Sequence, residues 1–283
     1  MLLNLRREYH QNVAREIIRI QSGNPKYPNF ADKTNKASRD IAWGIVNRLG
    51  HEIPDENLKG QTTGGRFEDI TRDFLQKAFG LLAHLRPGQW HYATDLAISE
   101  FDQYKHLAEL ERLVSQSNEL AIALGKEYII KPDIVVGRSP VQDAEINSFQ
   151  QVISDDEDIA RYTPFRGRNS ATRHYLLHAS ISCKWTIRSD RSQNTRTEAL
   201  NLVRHRKGHL PHVVAVTAEP LPTRIASLAL GTGDLDCVYH FALHEMRDAI
   251  GETNNEDQMD MLDTLVAGRR LRDISDLPFD LAV

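Results

Sequence analysis

Apolar residues recur at three- and four-residue intervals through much of the first half of the chain. In the clearest segment Phe67, Ile70, Phe74 and Ala78 fall on one face of a helix. Comparable spacings predict four helices, at about 5–20, 36–49, 65–85 and 100–124. Each of these helices would bury its apolar face against another layer of the fold.

Several segments in the second half have the composition of strands. Residues 127–137 and 212–218 are nearly continuous apolar runs rich in Ile and Val, which is typical of strands buried between helix layers. Residues 174–187 form a third candidate strand, and 236–243 fits either a strand or the start of a helix. The sequence therefore predicts an α/β fold in which helices pack on a sheet.

Capping and turn residues define two further segments. A helix at 194–207 is predicted to begin at Asn194 or Thr195, which are good N-caps, and to stop at Gly208. Residues 138–173 are rich in Asp, Ser, Gly and Arg, which indicates a long surface excursion.

Length and composition fit one domain, because 40% of the 283 residues are hydrophobic and no internal repeat occurs. We expect an N-terminal helical part (about 1–125), a catalytic and recognition core (about 126–250) and a C-terminal helix and tail (251–283). The apolar runs are too short to span a bilayer and the N-terminus is amphipathic, which predicts a cytoplasmic protein without a membrane partner. Two cysteines exclude a disulfide framework and a four-thiolate zinc site.

Positive charge is concentrated in one segment of an acidic chain. The net charge is −4, yet residues 178–208 contain seven Lys and Arg against two acids. This distribution argues against a protein that coats nucleic acid indiscriminately and fits one that gathers its positive charge in a cleft.

Within these segments a lysine and an aspartate occupy positions suited to phosphodiester hydrolysis. Asp133 follows Pro132 at the start of an apolar run, and Lys184 ends another. On a strand, Ser182 and Lys184 would face one side of a cleft while Cys183 packs on the other. Carboxylates can bind a divalent cation, and a lysine can offset charge that develops on phosphorus.

Two glutamates could supply further carboxylates. Glu198 lies in the predicted helix that follows Lys184, and Glu68 lies near the predicted start of the 65–85 helix. Structural alternatives remain open at this stage. Asp133 could belong to a turn, Lys184 could extend its amine to solvent, and both glutamates could complement the positive end of a helix.

The cluster Arg188, Asp190 and Arg191 suits the reading of bases. Arginine donates two hydrogen bonds to guanine O6 and N7, whereas aspartate accepts one from the cytosine amine. A solvated loop held by an Arg–Asp pair is the alternative.

With these residues identified, the chain resembles the NgoMIV family of type II restriction endonucleases, which are PD-(D/E)XK nucleases that cut at a CCGG core. The resemblance is strongest in residues 177–220, 223–243 and 273–283, and it includes KPDIVV at 131–136. It implies the restriction-endonuclease-like fold, with a central mixed β-sheet flanked by helices. The matching segments together cover most of the chain.

The resemblance also assigns roles to individual residues. The positions that match the active-site signature are Asp133, Ser182, Lys184, Glu198 and Glu68, of which Asp133, Glu198 and Glu68 match metal ligands. The positions that match DNA-reading residues are Arg188, Asp190 and Arg191 for the inner CCGG, Asp32, Thr34 and Arg224 for the outer pair, and Gln61 for the minor groove.

The activity implied is Mg²⁺-dependent cleavage of both strands of duplex DNA, with one or two Mg²⁺ ions per active site. The expected target is GCCGGC, cut after the first G. The expected assembly is a homotetramer or at least a dimer, and a cognate methyltransferase would act on the same site. A repair or recombination nuclease that recognises DNA structure, and a non-catalytic DNA-binding protein, are the two alternatives.

Overall fold

A six-stranded mixed sheet lies at the centre of the protein. The computed structural model describes residues 1–54, 60–124, 130–154, 156–167, 174–187, 189–231 and 233–283. The strands of this sheet are β3 (Trp90–Thr94), β4 (Ile134–Arg138), β5 (Leu176–Lys184), β6 (His212–Thr217), β7 (Cys237–His240) and β8 (Leu271–Asp273). A separate two-stranded sheet is formed by β1 (Ile20–Gln21) and β2 (Tyr27–Pro28).

Helices surround the sheet. They are α1 (Leu2–Glu16), α2 (Lys36–Leu49), α3 (Gly60–Gly80), α4 (Leu107–Gln116), α5 (Asn118–Leu124), α6 (Asp143–Ile146), α7 (Ser189–His205), α8 (Pro222–Ala229), α9 (Leu243–Thr253), α10 (Glu256–Ala267) and α11 (Leu277–Asp280). No described helix is both long and apolar enough to cross a membrane.

The central sheet changes direction at β5. Its strands lie in sequence order from β3 to β8, with β3, β4 and β5 antiparallel and β5 to β8 parallel. Because β4 and β5 are antiparallel, the start of β4 lies beside the end of β5, where Ile134 pairs with Ile181. On the other side of β5, Lys184 pairs with Thr217 of β6. The end of β5 therefore lies between the start of β4 and the end of β6.

The α2 helix illustrates how local sequence sets the helix ends and the packing. Asn35 accepts the Ser38 N–H at 3.0 Å as an N-cap, and Gly50 ends the helix in the left-handed region at φ +66°. In the middle of α2, Gly44 packs against α9 so closely that an added Cβ would lie 2.5 Å from the Ala249 Cβ. The missing side chain permits this close approach.

An aromatic cluster lies directly behind the end of β5. Trp185 packs against Phe67, Phe30 and Phe241, with ring-centroid distances of 5.1, 5.5 and 5.9 Å respectively. Rings at this spacing bury large apolar areas. The cluster anchors the residue next to Lys184 in the core.

The structure confirms the predicted α/β class, with helices around a mixed sheet. The helix predicted at 36–49 is confirmed, and that at 5–20 forms as α1 with shifted ends. The helix predicted to begin at 65 begins at Gly60 instead. The segment 236–243 satisfies both readings, because β7 is followed by α9 from Leu243.

Other boundaries were wrong. The helix predicted at 100–124 begins only at Leu107 and is interrupted at Ser117, whose extended backbone (φ −133°, ψ 112°) separates α4 from α5. The strand predicted at 127–137 starts at Ile134, after Pro132, which has no N–H to donate; residues 125–129 lie outside the described residues. The strand predicted at 174–187 spans only β5. The strands β3 and β8, outside the predicted core segment, belong to the same sheet.

Candidate active site

Asp133 is the residue on which the site converges. It immediately precedes β4, and its Oδ2 accepts hydrogen bonds from the Cys183 backbone N–H at 2.6 Å, Lys184 Nζ at 2.8 Å and Ser182 Oγ at 3.3 Å. Within the described part of the chain, no donor is bonded to the second oxygen, Oδ1. The carboxylate is therefore fixed through one oxygen and can offer the other to a ligand.

Side chains along β5 alternate between the two faces of the sheet, which places both side-chain donors, Ser182 and Lys184, beside Asp133. Ser182 and Lys184 are half-buried on one face, while Cys183 is buried on the other, as the sequence predicts. Burial lowers the pKa of Lys184, but the charge of Asp133 and their hydrogen bond outweigh it, so the pKa lies above its usual value. Lys184 is consequently a fixed cation.

Glu198 faces the same lysine from α7. Burial raises its pKa, Lys184 lowers it and Asp133 raises it. Glu198, Ser182 and Thr195 line a small cavity of about 10 Å³ behind the site. That volume is on the order of one water molecule.

Glu68 approaches from α3. Burial, followed by the negative charge of Asp133, raises the pKa of Glu68 to about 7, although the charge of Lys184 lowers it. In the described structure its carboxylate has no hydrogen-bond partner, and the same holds for Glu198. Burial is therefore the main cause that raises the pKa of both acids.

The observed helix boundaries exclude the alternative that Glu68 and Glu198 only complement the positive end of a helix. The prediction that Glu198 lies in the first turns of a helix beginning at 194 was wrong, because α7 begins at Ser189. Glu68 likewise lies eight positions after Gly60, the first residue of α3. The positive potential of a helix N-terminus acts within the first turn, so neither acid is there to complement it.

The donor set fits a hard divalent cation. Glu68 and Glu198 each interact electrostatically with Asp133 and with Lys184. No group of three or more potential ligands in the described chain already has the arrangement of a metal centre. Mg²⁺ needs only one or two carboxylates because it keeps several waters.

The structure also brings together Asp32, Thr34 and Arg224, which the family resemblance assigns to one base pair. Arg224 of α8 forms an ion pair with Asp32, which lies between β2 and α2. Asp32 Oδ1 accepts the Thr34 N–H at 2.9 Å and the Thr34 hydroxyl at 2.8 Å. The Arg224 hydrogen bond, followed by those of Thr34, lowers the pKa of Asp32 to about 2.

The residues expected to read the inner CCGG, and Gln61, expected at the minor groove, are described only in part. Arg188 lies outside the described residues, and so do the side chains of Asp190, Arg191 and Gln61. The backbone of Asp190 and Arg191 belongs to the first turn of α7, and that of Gln61 to the first turn of α3.

Sequence reasoning missed Glu219. It follows β6, is 0% exposed, and its Oε2 accepts the Ile187 N–H at 3.0 Å. A recognisable signal existed, because the acid comes directly after the apolar run HVVAVTA. A charged group at the end of a buried parallel strand commonly faces a binding crevice.

Comparison with known proteins gives one family. The model described as "NgoMIV restriction enzyme" matches residues 9–283. The chain is 49% identical over 283 residues to the type II restriction enzyme NgoMIV of Neisseria gonorrhoeae, covering 98% of this chain and 97% of that protein. The resemblance expected from the sequence is confirmed.

Two solved structures are more distant. A PspGI–substrate DNA complex matches with 15% identity and a TM-score of 0.37, over 78% of this chain and 60% of that chain. Bse634I with cognate DNA matches with 13% identity and a TM-score of 0.35, over 94% of this chain and 92% of that chain.

Proposed function

The chain belongs to the NgoMIV restriction enzyme family and is a type II restriction endonuclease, and we propose that it cuts both strands of DNA at GCCGGC in a Mg²⁺-dependent reaction. The observation that carries this proposal is the bond between Lys184 and Asp133, which joins a cation to a carboxylate with one open oxygen. Cleavage after the first G is the expected position.

We assign the metal to Asp133 and Glu198, with Glu68 sharing or adjusting the site. The charge of a divalent ion would favour the ionised form of all three acids, which counters the raised pKa values of Glu68 and Glu198. One or two bound Mg²⁺ ions would polarise the phosphate and lower the pKa of the attacking water.

The protein side chains then have separate tasks. Lys184 is charged and offsets the negative charge that grows on the phosphoryl oxygens. Lys184 would also position the attacking water or help to deprotonate it. Ser182 donates to Asp133 and keeps the carboxylate in place.

Base reading is proposed to use two groups of residues. Arg188, Asp190 and Arg191 precede or begin α7 and would read the inner CCGG through the major groove. Asp32, Thr34 and Arg224 would read the outer pair, a role supported by their mutual hydrogen bonds. Gln61 would contact the minor groove.

The assembly is proposed to be a homotetramer, or at least a dimer. A palindromic duplex has two-fold symmetry, so two copies of one active site can each cut one strand. We place the enzyme in the cytoplasm of a prokaryote, where a cognate methyltransferase would protect the same sequence in host DNA.

Digestion of a plasmid with known GCCGGC sites, followed by sequencing of the ends, tests the proposal. Discrete fragments with one fixed end sequence are expected with Mg²⁺, and none with Lys184→Ala. Sequence-independent cutting at branched or damaged DNA would instead indicate a structure-specific nuclease. Binding without cleavage would indicate a non-catalytic DNA-binding protein. The combination of Lys184 with Asp133 and Glu198 argues against the non-catalytic alternative, and the digest separates the structure-specific one.

A further inference from the structure

The end of β6 holds both ends of a short segment, residues 184–187, that joins the cutting lysine to the reading arginines. The Thr217 side chain, which is 0% exposed, donates from Oγ1 to the Lys184 carbonyl oxygen at 2.7 Å. The equally buried Glu219 accepts the Ile187 N–H at 3.0 Å. The backbone N–H of Glu219 donates to Thr217 Oγ1 at 3.1 Å, so the two contacts are linked.

Glu219 also contacts the second reading group. Its Oε1 lies 3.8 Å from Arg224 Nη1, and Arg224 pairs with Asp32. The same Oε1 accepts the Leu221 N–H at 3.4 Å, just before α8 begins. One carboxylate therefore touches the segment that leads to the inner reading residues and the arginine proposed to read the outer pair.

Packing alone does not explain an acid at this position. Burial raises the pKa of Glu219 to about 7, opposed by the Ile187 N–H and by the charge of Arg224. An apolar side chain would fill the same space without that cost of desolvation. The carboxylate instead provides two acceptor oxygens. Oε2 accepts the Ile187 N–H, and Oε1 accepts the Leu221 N–H and lies near Arg224.

We propose that Glu219 and Thr217 are positioning residues that couple base reading to DNA cleavage. The inference rests on the proposed function. Correct bases would hold Arg224 and the residues after Ile187 in one arrangement, and the Glu219 and Thr217 bonds transmit it to Lys184. A wrong base pair displaces one of these elements, and the same bonds then move Lys184 away from the scissile phosphate.

Glu219→Gln tests the carboxylate with little change of shape. An amide has one acceptor oxygen, so an NH₂ must face either the Ile187 N–H or the Leu221 and Arg224 donors. The matched control is Asp236→Asn, since the Asp236 carboxylate also accepts a backbone N–H, that of Val213 at 2.8 Å, at the end of β6 opposite to Glu219.

Two quantities are measured for each variant. One is the single-turnover rate on GCCGGC and on a duplex with a changed outer pair; the other is affinity for GCCGGC with Ca²⁺ in place of Mg²⁺. For Glu219→Gln we expect the rate on GCCGGC to fall roughly 10-fold, which is the size of one misplaced base contact. The ratio of the GCCGGC rate to the rate on the changed duplex should also fall roughly 10-fold. The affinity for GCCGGC should stay within about 3-fold of wild type. Asp236→Asn should keep the wild-type ratio.

Thr217 provides a second test that does not depend on Glu219. Thr217→Val removes the hydroxyl that bonds Lys184, whereas Thr217→Ser keeps it. We expect slower cleavage of bound GCCGGC duplex by the valine variant and a rate close to wild type for the serine variant. If Glu219→Gln is not recovered as a folded protein, the comparison of Thr217→Val with Thr217→Ser decides whether the inference holds.

The inference is overturned if Glu219→Gln retains the wild-type ratio of rates, including the case in which both rates fall by one factor. Equal rates for Thr217→Val and Thr217→Ser would also overturn it. The wild-type protein is digested in parallel on the GCCGGC plasmid. Absence of discrete fragments there contradicts the proposed function, whereas normal wild-type cleavage with unchanged variants contradicts only the coupling.

Discussion

Lys184 Nζ lies 2.8 Å from Asp133 Oδ2, and this bond joins the last residue of β5 to the residue that precedes β4. Because the two strands are antiparallel neighbours, the contact follows from the sheet register and needs no loop rearrangement. Sheet geometry therefore preforms the central pair of the active site.

Asp133→Asn should abolish most cleavage while leaving DNA binding intact. The amide keeps one acceptor but loses the charge that binds a cation, and we expect the single-turnover rate to fall by at least about 100-fold, as for loss of one preorganised electrostatic group. Asp263→Asn is the control, since Asp263 of α10 forms an exposed pair with Arg247 of α9. A rate near wild type for Asp133→Asn would contradict the assignment.

Glu68→Gln should stabilise the metal-free protein at high pH. The pKa of Glu68 is about 7 in the folded state against a usual value of 4.5, so the folded state loses stability as pH rises from about 4.5 through 7. Thermal melting without divalent ions should show a higher Tm than wild type at about pH 8 and little difference at about pH 5.

The control for this experiment is Glu109→Gln, because the Arg112 hydrogen bond lowers the pKa of that exposed acid. It should show no gain at high pH. Added Mg²⁺ should raise the Tm of wild type more than that of Glu68→Gln, since a ligand stabilises the state that binds it. A Tm difference that does not depend on pH would count against the raised pKa.

Arg224→Ala should weaken discrimination at the outer base pair alone. Loss of one bidentate contact costs about 1–3 kcal/mol at the base it reads. Competition cleavage of duplexes varied at each position would measure the change, with Arg247→Ala as control because Arg247 forms an exposed pair with Asp263. A uniform loss of affinity for all sequences would identify Arg224 as a phosphate contact instead.

Trp185→Ala should destabilise the fold by about 3–5 kcal/mol, because it leaves a cavity among Phe30, Phe67 and Phe241. Urea unfolding followed by circular dichroism measures the loss. Trp185→Phe should cost less, because it keeps a ring and removes a buried Nε1–H that has no partner among the described residues. Equal losses for the two variants would show that ring packing is not what matters here.

The sequence was most informative where chemistry and periodicity coincide. The sequence predicts Asp133 and Lys184 on two apolar strands as parts of one site, and the structure places them in direct contact. Apolar spacing predicts the 36–49 helix with its observed ends, and in the structure Asn35 and Gly50 cap those ends. Local rules therefore sufficed where caps, strand alternation and charge agreed.

Elsewhere tertiary contacts decided the outcome. The first turns of α3 include Gly64 and Gly65, which disfavour a helix in isolation, so its early start could not be read locally. β3 is short and pairs only with β4, so its identity as a strand comes from that partner. The apolar run before Glu219 marks this acid as a candidate, but its bond to the Ile187 N–H joins residues 32 positions apart, and local sequence does not predict that contact.

The β4–β5 hairpin also has an end remote from Asp133. The segment that connects the two strands runs from Arg138 to Leu176, at the end of the hairpin opposite to Asp133. Within this segment the Arg166 guanidinium donates two hydrogen bonds to the Asp143 carboxylate, a contact that we call the clasp. Beyond the clasp, Phe149 and Tyr162 are almost fully exposed. Insertions or fused domains placed there would lengthen the connection without altering strand register, so this end of the hairpin is a natural attachment point for engineering the enzyme.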